Sequence, residues 1–476
     1  MVTARLLQAQ WARRARYHDG LSFLQSGIPL AGLRRLSPRR RAARYFRRKP
    51  LPFMASAHYP REIRSWALLA FALGAVEGGV AGVIVKNAFA GQVPDLWLGL
   101  AVAIVTGAPQ LANIFSFLWA WGAQGRNKIR FLLFAQVACV LCLLLIAAAP
   151  LNAAGLGLMV LGAVGARVAW SGVTTIRSTV WRQNYPRDLL ADMTGRLVTV
   201  AALIMGGVGV VIGLAMDQHD EAFRWIYPAL ALIGLVGAIN YGRLRVRRHG
   251  QLLKRERQER KRMENPFSSL RVLSEDRRFR QYMGLMMIFG SGNLMLKAPL
   301  ILVLAEQLDY SQFQQMMVTG SIPLLVMPLC VPLWARLLDA RHVVHYRARQ
   351  SWAFVASFTV FTLASITGWM PLMWLGSALF GAAMSGGMLG WNIGHHDFAP
   401  AERASQYMGV HVSLTGLRGL IAPIIGVGLY QLAEHFQPGA GRWILIIPLL
   451  FVTAGACGFV FMSRRMRAAE RRIQAG

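Results

Sequence analysis

Residues 243–280 read RLRVRRHGQLLKRERQERKRMENPFSSLRVLSEDRRFR, a polar stretch with 14 lysines and arginines. Six long apolar runs precede it, near 65–89, 96–121, 131–149, 153–180, 197–216 and 225–242. Six more follow, near 282–304, 313–335, 351–368, 371–394, 407–432 and 443–463. A helix rises 1.5 Å per residue, so about 20 apolar residues cross about 30 Å of hydrocarbon. A soluble domain of 476 residues, 55% of them hydrophobic, would not sustain twelve such runs. The expected fold class is all-α membrane protein, with twelve transmembrane helices in two pseudo-symmetric six-helix bundles. The expected organisation is a basic arm at 1–63, a first bundle at 64–242, a basic linker at 243–280, a second bundle at 281–464 and a basic tail at 465–476. Pro109, Pro323, Pro328, Pro332 and Pro423 fall inside runs, where neighbouring helices and water can satisfy the freed carbonyls.

A net charge of +31 would point to nucleic acid in a soluble protein, but its placement argues otherwise. With both termini on one side, 45 of the 52 lysines and arginines fall in the arm, the even-numbered loops and the tail. Only Arg224 and Arg442 fall on the other side, and five lie inside spans. This is a strong positive-inside signal, and it holds only for an even number of spans. It places both termini in the cytoplasm of a plasma (inner) membrane protein. The opposite loops carry Asp95, Asp217, Asp220, Glu221, Glu306 and Asp309.

The first 63 residues lack the apolar core of a signal peptide. Three readings of this arginine-rich arm compete: a segment bound to anionic lipid, an organellar presequence, or a leader upstream of a true start at Met54. The middle linker reads as a solvated basic segment that touches anionic lipid, with no role for nucleic acid. Cys139, Cys142, Cys330 and Cys457 all fall in spans and read as small apolar side chains, so no disulfide or metal site is expected. No phosphate-binding loop, catalytic triad or zinc spacing is present, so neither an enzyme nor a cofactor is expected.

The two halves repeat each other. Leu118-Trp119-Ala120, five residues and Arg126 match Leu333-Trp334-Ala335, five residues and Arg341 at an offset of 215. Ser171-Gly172, Pro186 and Gly195 return as Ser385-Gly386, Pro400 and Gly409 at an offset of 214. Two blocks at nearly one offset argue for parallel six-helix halves related about an axis along the membrane normal. On these features, over about 64–465, the chain resembles the major facilitator superfamily. Leu333-Trp-Ala-Arg-Leu-Leu-Asp339-Ala-Arg341 resembles the family's loop motif after helices 2 and 8, with Asp339 and Arg341 in its acidic and basic places. The first copy keeps Gly125, Arg126 and Lys128 but has Gln124 in the acidic place. The resemblance implies that this motif helps to latch the cytoplasmic side, which makes Arg126, Asp339 and Arg341 gating candidates. It also implies that helices 1, 4, 7 and 10 line a central cavity, that 2, 5, 8 and 11 flank it, and that 3, 6, 9 and 12 face lipid. The family's Gly-Pro antiporter signature is missing: helix 5 has Gly206, Gly207, Gly209 and Gly213 but no proline.

Six charges lie within the expected spans: Glu77 and Lys86 on helix 1, Arg167 and Arg177 on helix 4, Lys297 on helix 7 and Arg418 on helix 11. The expected helices 3, 6, 9 and 12 carry none. A charge at a helix centre costs about 2.5–3.5 kcal/mol on insertion scales, so these residues must pair or line a wet cavity. Glu77, mid-helix in Gly74-Ala-Val-Glu77-Gly78-Gly79, is the proton-coupling candidate; the competing reading is a structural ion pair with Arg167. Arg167 offers a planar fork for carboxylate or phosphate, and Arg418 shares one helix face with His411 and Thr415. Arg167 and Arg418 are substrate-binding candidates, with Lys297, Trp391 and Asn392. Snorkelling to the outer interface is the competing reading for Lys86 and Lys297. Arg177, near the cytoplasmic end of helix 4, is a gating candidate. So are His395, His396 and Asp397, which close helix 10 and also offer a proton relay.

These features lead to a secondary active transporter that works by alternating access, coupled to protons through Glu77. Intramembrane cations outnumber the acid five to one, which favours a small anionic solute. A lipid flippase or scramblase of the same fold and a non-transporting membrane scaffold or sensor are the alternatives. The expected partners are solute, protons and anionic membrane lipid, and the expected state is a monomer.

Overall fold

The computed structural model describes residues 58–185, 190–259, 271–400 and 403–475. Residues 1–57 of the basic arm, Met54 among them, and Pro186 lie outside the described residues, and residues 59–63 of the arm belong to the first helix. Among the described residues there is no strand, and twelve helices are long and apolar enough to cross a membrane. They are Tyr59–Ala88, Asp95–Ala123, Lys128–Ala147, Ala153–Asn184, Met193–Gln218, Phe223–Gly242, Arg277–Gln307, Gln312–Asp339, Val343–Thr367, Met370–Asp397, Gln406–Phe436 and Ala440–Arg472, here called spans 1 to 12. Most run further than the apolar windows, because polar turns continue the helix beyond the hydrocarbon. Charges at the edges of the apolar runs thereby enter the helices, and some of them are buried, Lys128 at the start of span 3 among them. Glu62 is buried in span 1, and Arg347 is buried in span 9, which begins eight residues before the expected helix. The expectation that spans 3, 6, 9 and 12 carry no charge therefore fails at the helix ends of all four, and most clearly at the buried Lys128 of span 3 and Arg347 of span 9.

Span 1 packs on spans 5 and 6, span 2 on span 4, and span 3 on spans 4 and 6. The second half repeats this pattern: span 7 packs on 11 and 12, span 8 on 10, and span 9 on 10 and 12. The repeated sequence blocks prove to be partners in contact. The Trp119 indole of span 2 lies against Gly172 of span 4 and donates to the Val168 carbonyl at 2.9 Å. The Trp334 indole of span 8 lies against Gly386 of span 10 and donates to the Ala382 carbonyl at 2.8 Å. Ser171 and Ser385 share the same two carbonyls, at 2.8 and 2.7 Å. Each glycine thus gives an indole a flat seat, because any Cβ there would strike the ring, and the carbonyl four residues earlier is the acceptor.

The halves meet through spans 2 and 11, 5 and 8, and 1 and 7. One end of the bundle carries the linker, both loop motifs and the tail, and is here the basic face; the other is the acidic face. Polar bonds between the halves gather at the acidic face. Lys86 pairs with Glu306 at 2.9 Å, and Asn87 donates to Gln315 at 3.0 Å. The Phe313 amide donates to Asp217 at 3.0 Å, and Gln431 donates to the Asp95 carbonyl at 2.7 Å. The acidic face is therefore closed. Snorkelling of Lys86 is overturned, because its side chain is buried and paired. Its partner Glu306 belongs to the last turn of span 7, a π-helical turn at Val303–Gln307, and not to the outer loop. Beyond this pair a cavity of about 650 Å³ opens at the acidic face, lined by Lys86, Asp95, Glu306, Tyr430, Glu434 and His435 among others.

On the basic face the linker forms a helix, His249–Glu259. It supplies the acid that the first loop motif lacks. Glu256 accepts from the Gly125 amide at 2.8 Å and from the Lys128 ammonium at 2.6 Å. Arg257 donates back to the Gly125 carbonyl at 3.3 Å. Gly125 has φ +69°, and a Cβ there would lie 3.0 Å from Arg257 Cγ, so the turn calls for glycine twice over. Hydrogen bonds to a charged group contribute about 1.5–3 kcal/mol. Glu256→Gln is therefore expected to raise amide exchange across 249–259 at least about tenfold, since about 1.4 kcal/mol is a factor of ten. Unchanged exchange would mean that the linker helix is held by other contacts. Nearby, Arg403 donates to Glu275 at 2.7 Å and holds this exposed carboxyl below the usual carboxylate range. That pair supports the fold at neutral pH and is lost as pH falls through the lowered value.

Candidate functional site

Span 1 is two helices, Tyr59–Ala75 and Gly78–Ala88, with Glu77 extended between them at φ −62°, ψ 133°. Glu77 is thus not mid-helix, as the sequence suggested, but at a break. A break inside a bilayer frees carbonyls that must find donors. Tyr227 of span 6 donates to the Ala75 carbonyl at 2.6 Å, and Arg167 Nε of span 4 donates to the Val76 carbonyl at 2.7 Å. Glycines let the neighbours close on the break: a Cβ at Gly78 would lie 2.8 Å from the Thr106 carbonyl oxygen, and one at Gly79 would lie 2.7 Å from the Thr319 carbonyl carbon.

The freed carboxylate is held from both halves. Arg167 Nη2 pairs with Glu77 Oε2, and Lys297 Nζ of span 7 lies 3.2 Å from Glu77 Oε1. Lys297 opens the short helix Lys297–Leu302, just after an interruption in span 7 at Leu296. Snorkelling of Lys297 is therefore overturned as well, because an opposite charge is within reach. Two cations around one carboxylate leave the cluster at net +1, and the side chains of Glu77 and Lys297 stay partly open, at 17% and 24% exposure. The cluster can hold a charge from each half, exchange one, and accept an anion.

The remaining candidates lie elsewhere. Arg177 is stacked between the Trp66 and Trp181 rings at 3.7 and 4.0 Å. Beside it Glu62 accepts from Trp181, Tyr185 and, at 3.3 Å, Tyr241. Arg418 is buried inside the second half, donating to the Met286 carbonyl and to Thr415 Oγ1 at 2.7 Å. Trp391 donates to the same hydroxyl at 3.1 Å, whereas Asn392 is exposed and donates to the Met388 carbonyl at 2.8 Å. Asp397 accepts from the Val343 amide at 2.6 Å and so caps span 9. His395 stacks on His396 with ring centroids 4.1 Å apart. Arg126 and Asp339 are exposed and Arg341 is half-buried. Among the described residues no group of three His, Cys, Asp or Glu could hold a metal ion. Glu62 and Arg347 were missed in the sequence, and Glu306 was placed in an outer loop, because each stands at the polar edge of its apolar run.

Two six-span halves that meet around a shared charge cluster, closed at one face, define a membrane transporter. The family model described as Major Facilitator Superfamily matches residues 67–423. The chain belongs to that family, an integral membrane transporter and not an enzyme. No curated protein matches the sequence significantly. Among solved structures, a point mutant of the nucleoside transporter NupG superposes with TM-score 0.65 at 14% identity, covering 85% of this chain and 100% of that one. A D-xylose-proton symporter superposes with TM-score 0.64 at 12% identity, covering 85% and 97%. The POT family transporter PepTSo gives TM-score 0.64 at 11% identity, covering 88% and 99%. At these identities the likeness is one of fold.

Proposed function

We propose that this chain is a proton-coupled secondary transporter of a small anionic solute, working by alternating access across a plasma (inner) membrane with its basic face in the cytoplasm. The observation that carries this reading is Glu77, whose carboxylate holds Arg167 of its own half and Lys297 of the other. A proton on Glu77 cancels its charge and leaves both cations for an anion. An anion on Arg167 and Lys297 in turn displaces the carboxylate and favours its protonation. The two loads therefore strengthen each other, and such coupling is reciprocal by linkage. When both leave, Glu77 recovers Lys297, so the empty carrier keeps a bond between its halves and can return. The closed acidic face fits the stage at which the cluster exchanges with the basic side. A symporter that carries a proton is named among the structural neighbours, the D-xylose-proton symporter, although its solute is a neutral sugar.

The test starts from a thermal-shift screen of purified protein against carboxylates, sugar acids and phosphate esters at pH 5.5 and 7.5. A hit at about 100 times its Kd stabilises by about 2.7 kcal/mol. The expected hit is an anion that binds better at the lower pH and is lost in Lys297→Gln. In proteoliposomes with an inward proton gradient, Glu77→Gln is expected to exchange that solute but not to accumulate it. Full proton-driven accumulation by Glu77→Gln would end the coupling assignment.

A further inference from the structure

The second half holds a cluster of donors that the central site does not use. Tyr282 of span 7, Arg347 of span 9, His395 at the end of span 10, and His411 and Arg418 of span 11 are all 4% exposed or less. Each has a buried polar atom without a partner: Tyr282 Oη, Arg347 Nε, His395 Nδ1, both ring nitrogens of His411, and Arg418 Nε. They lie around one another: Arg418 reaches the Met286 carbonyl, one turn from Tyr282; Tyr282 Oη lies 3.5 Å from where a Cβ at Gly394, beside His395, would be; Arg347 reaches the Gly387 carbonyl of span 10; and His411 packs on Trp391 with ring centroids 5.4 Å apart. The bonds that the two guanidiniums do make go to neutral groups. Arg347 donates to Gln350 Oε1 at 3.0 Å and to the Gly387 carbonyl at 3.1 Å, and Arg418 donates to Met286 O and Thr415. Among the described residues neither arginine makes an ion pair. The nearby acid, Asp397, accepts from the Val343 amide at 2.6 Å.

A guanidinium does not give up its proton in a protein, so burial cannot be relieved by neutralisation. Two buried like charges on packed spans, each with an unused N–H group, need a counter-charge. We infer that a small monovalent anion of about chloride's size binds inside the second half, between spans 7, 9, 10 and 11. Arg347 and Arg418 supply its charge partners, and Tyr282 and His411 supply further donors. The absence of a side chain at Gly390 leaves Arg347 its position, since a Cβ there would lie 3.1 Å from the guanidinium carbon. The site joins four spans of one half and includes none of Glu77, Arg167 and Lys297. Its ligand is therefore structural to that half and separate from the transported solute.

The test compares thermal unfolding of the full chain in sodium chloride and in sodium gluconate at equal ionic strength, with bromide as a third salt. The expected result is a saturable rise in Tm of about 5 °C with chloride or bromide, the order a site gives at about 100 times its Kd. Arg418→Met is expected to lose that rise while keeping or exceeding the wild-type Tm in gluconate, because it also removes an unpaired charge. Lys297→Gln is expected to keep the rise, which separates this site from the central one. If Arg418→Met does not fold, bromide anomalous scattering from crystals of the natural chain locates the ion without a variant. Equal Tm in chloride and gluconate, a rise that survives Arg418→Met, or bromide bound only at Lys297 would each overturn the inference.

Discussion

Arg167→Ala is expected to lower the unfolding temperature of the purified chain by roughly 10 °C and to abolish transport. The loss has two parts. Glu77 loses the cation of its own half, and the Val76 carbonyl at the break in span 1 loses its donor. Removing one partner of a buried pair costs about 3–5 kcal/mol; Lys297, at 3.2 Å, still pairs with Glu77, so the carbonyl's lost donor carries part of the cost. At about 2–4 °C per kcal/mol the shift is readily measured. The double change Glu77→Gln with Arg167→Ala is expected to cost less than the sum of the two single losses, because each single change breaks the same bond. Additive losses in the double variant would mean that the pair does not govern stability, and that the break in span 1 is held by other bonds.

A second large effect is expected where spans 2 and 11 cross. A Cβ at Gly107 would strike the Gly419 carbonyl oxygen and lie 3.2 Å from Pro423 Cγ. The obstacle is backbone, which cannot swing away as a side chain does. Gly107→Val should therefore prop the crossing apart while leaving the packing within each half intact. Overpacking of this kind costs about 1–3 kcal/mol, enough to move a two-state balance roughly 5- to 150-fold away from the closed acidic face. Spin labels at Asp95 and Gln431, which are bonded across the closed face, are expected to report a longer and broader distance in the variant. Transport should fall by at least about tenfold. A distance distribution identical to that of the natural chain would show that the crossing yields locally and does not set the conformation.

The fold was legible because membrane spans announce themselves one at a time: length and hydropathy decide each without knowledge of its neighbours. The offset between Leu118-Trp119-Ala120 and Leu333-Trp334-Ala335 likewise needed only counting. The site was legible in its ingredients but not in its pairing. Glu77, Arg167 and Lys297 each stood out as charges in apolar surroundings, yet Lys297 is 220 residues from its partner. The break that exposes Glu77 was hidden because glycines on either side read equally well as helix packing. Lys86 was read as an interfacial side chain because its partner, Glu306, was assigned to a loop; a π turn carries that acid back into the span. Arg347 escaped notice for the opposite reason. Its basic neighbours Arg341 and Arg349 point to a loop in the sequence, and only its tertiary bond to the Gly387 carbonyl of span 10 draws it inward.

The paired seats of Trp119 on Gly172 and Trp334 on Gly386 bear on ancestry. Two six-span units that solve the same packing problem with the same residues, down to the carbonyl each indole addresses, are what duplication of one ancestral unit leaves behind. The loop motifs that follow those tryptophans have since diverged. The second copy keeps its own acid at Asp339, whereas the first has given that task to Glu256, on the segment that joined the copies. The join is therefore no longer a passive tether. It has become part of the first unit's packing, and an exchange of linkers between such proteins would carry that contact with it.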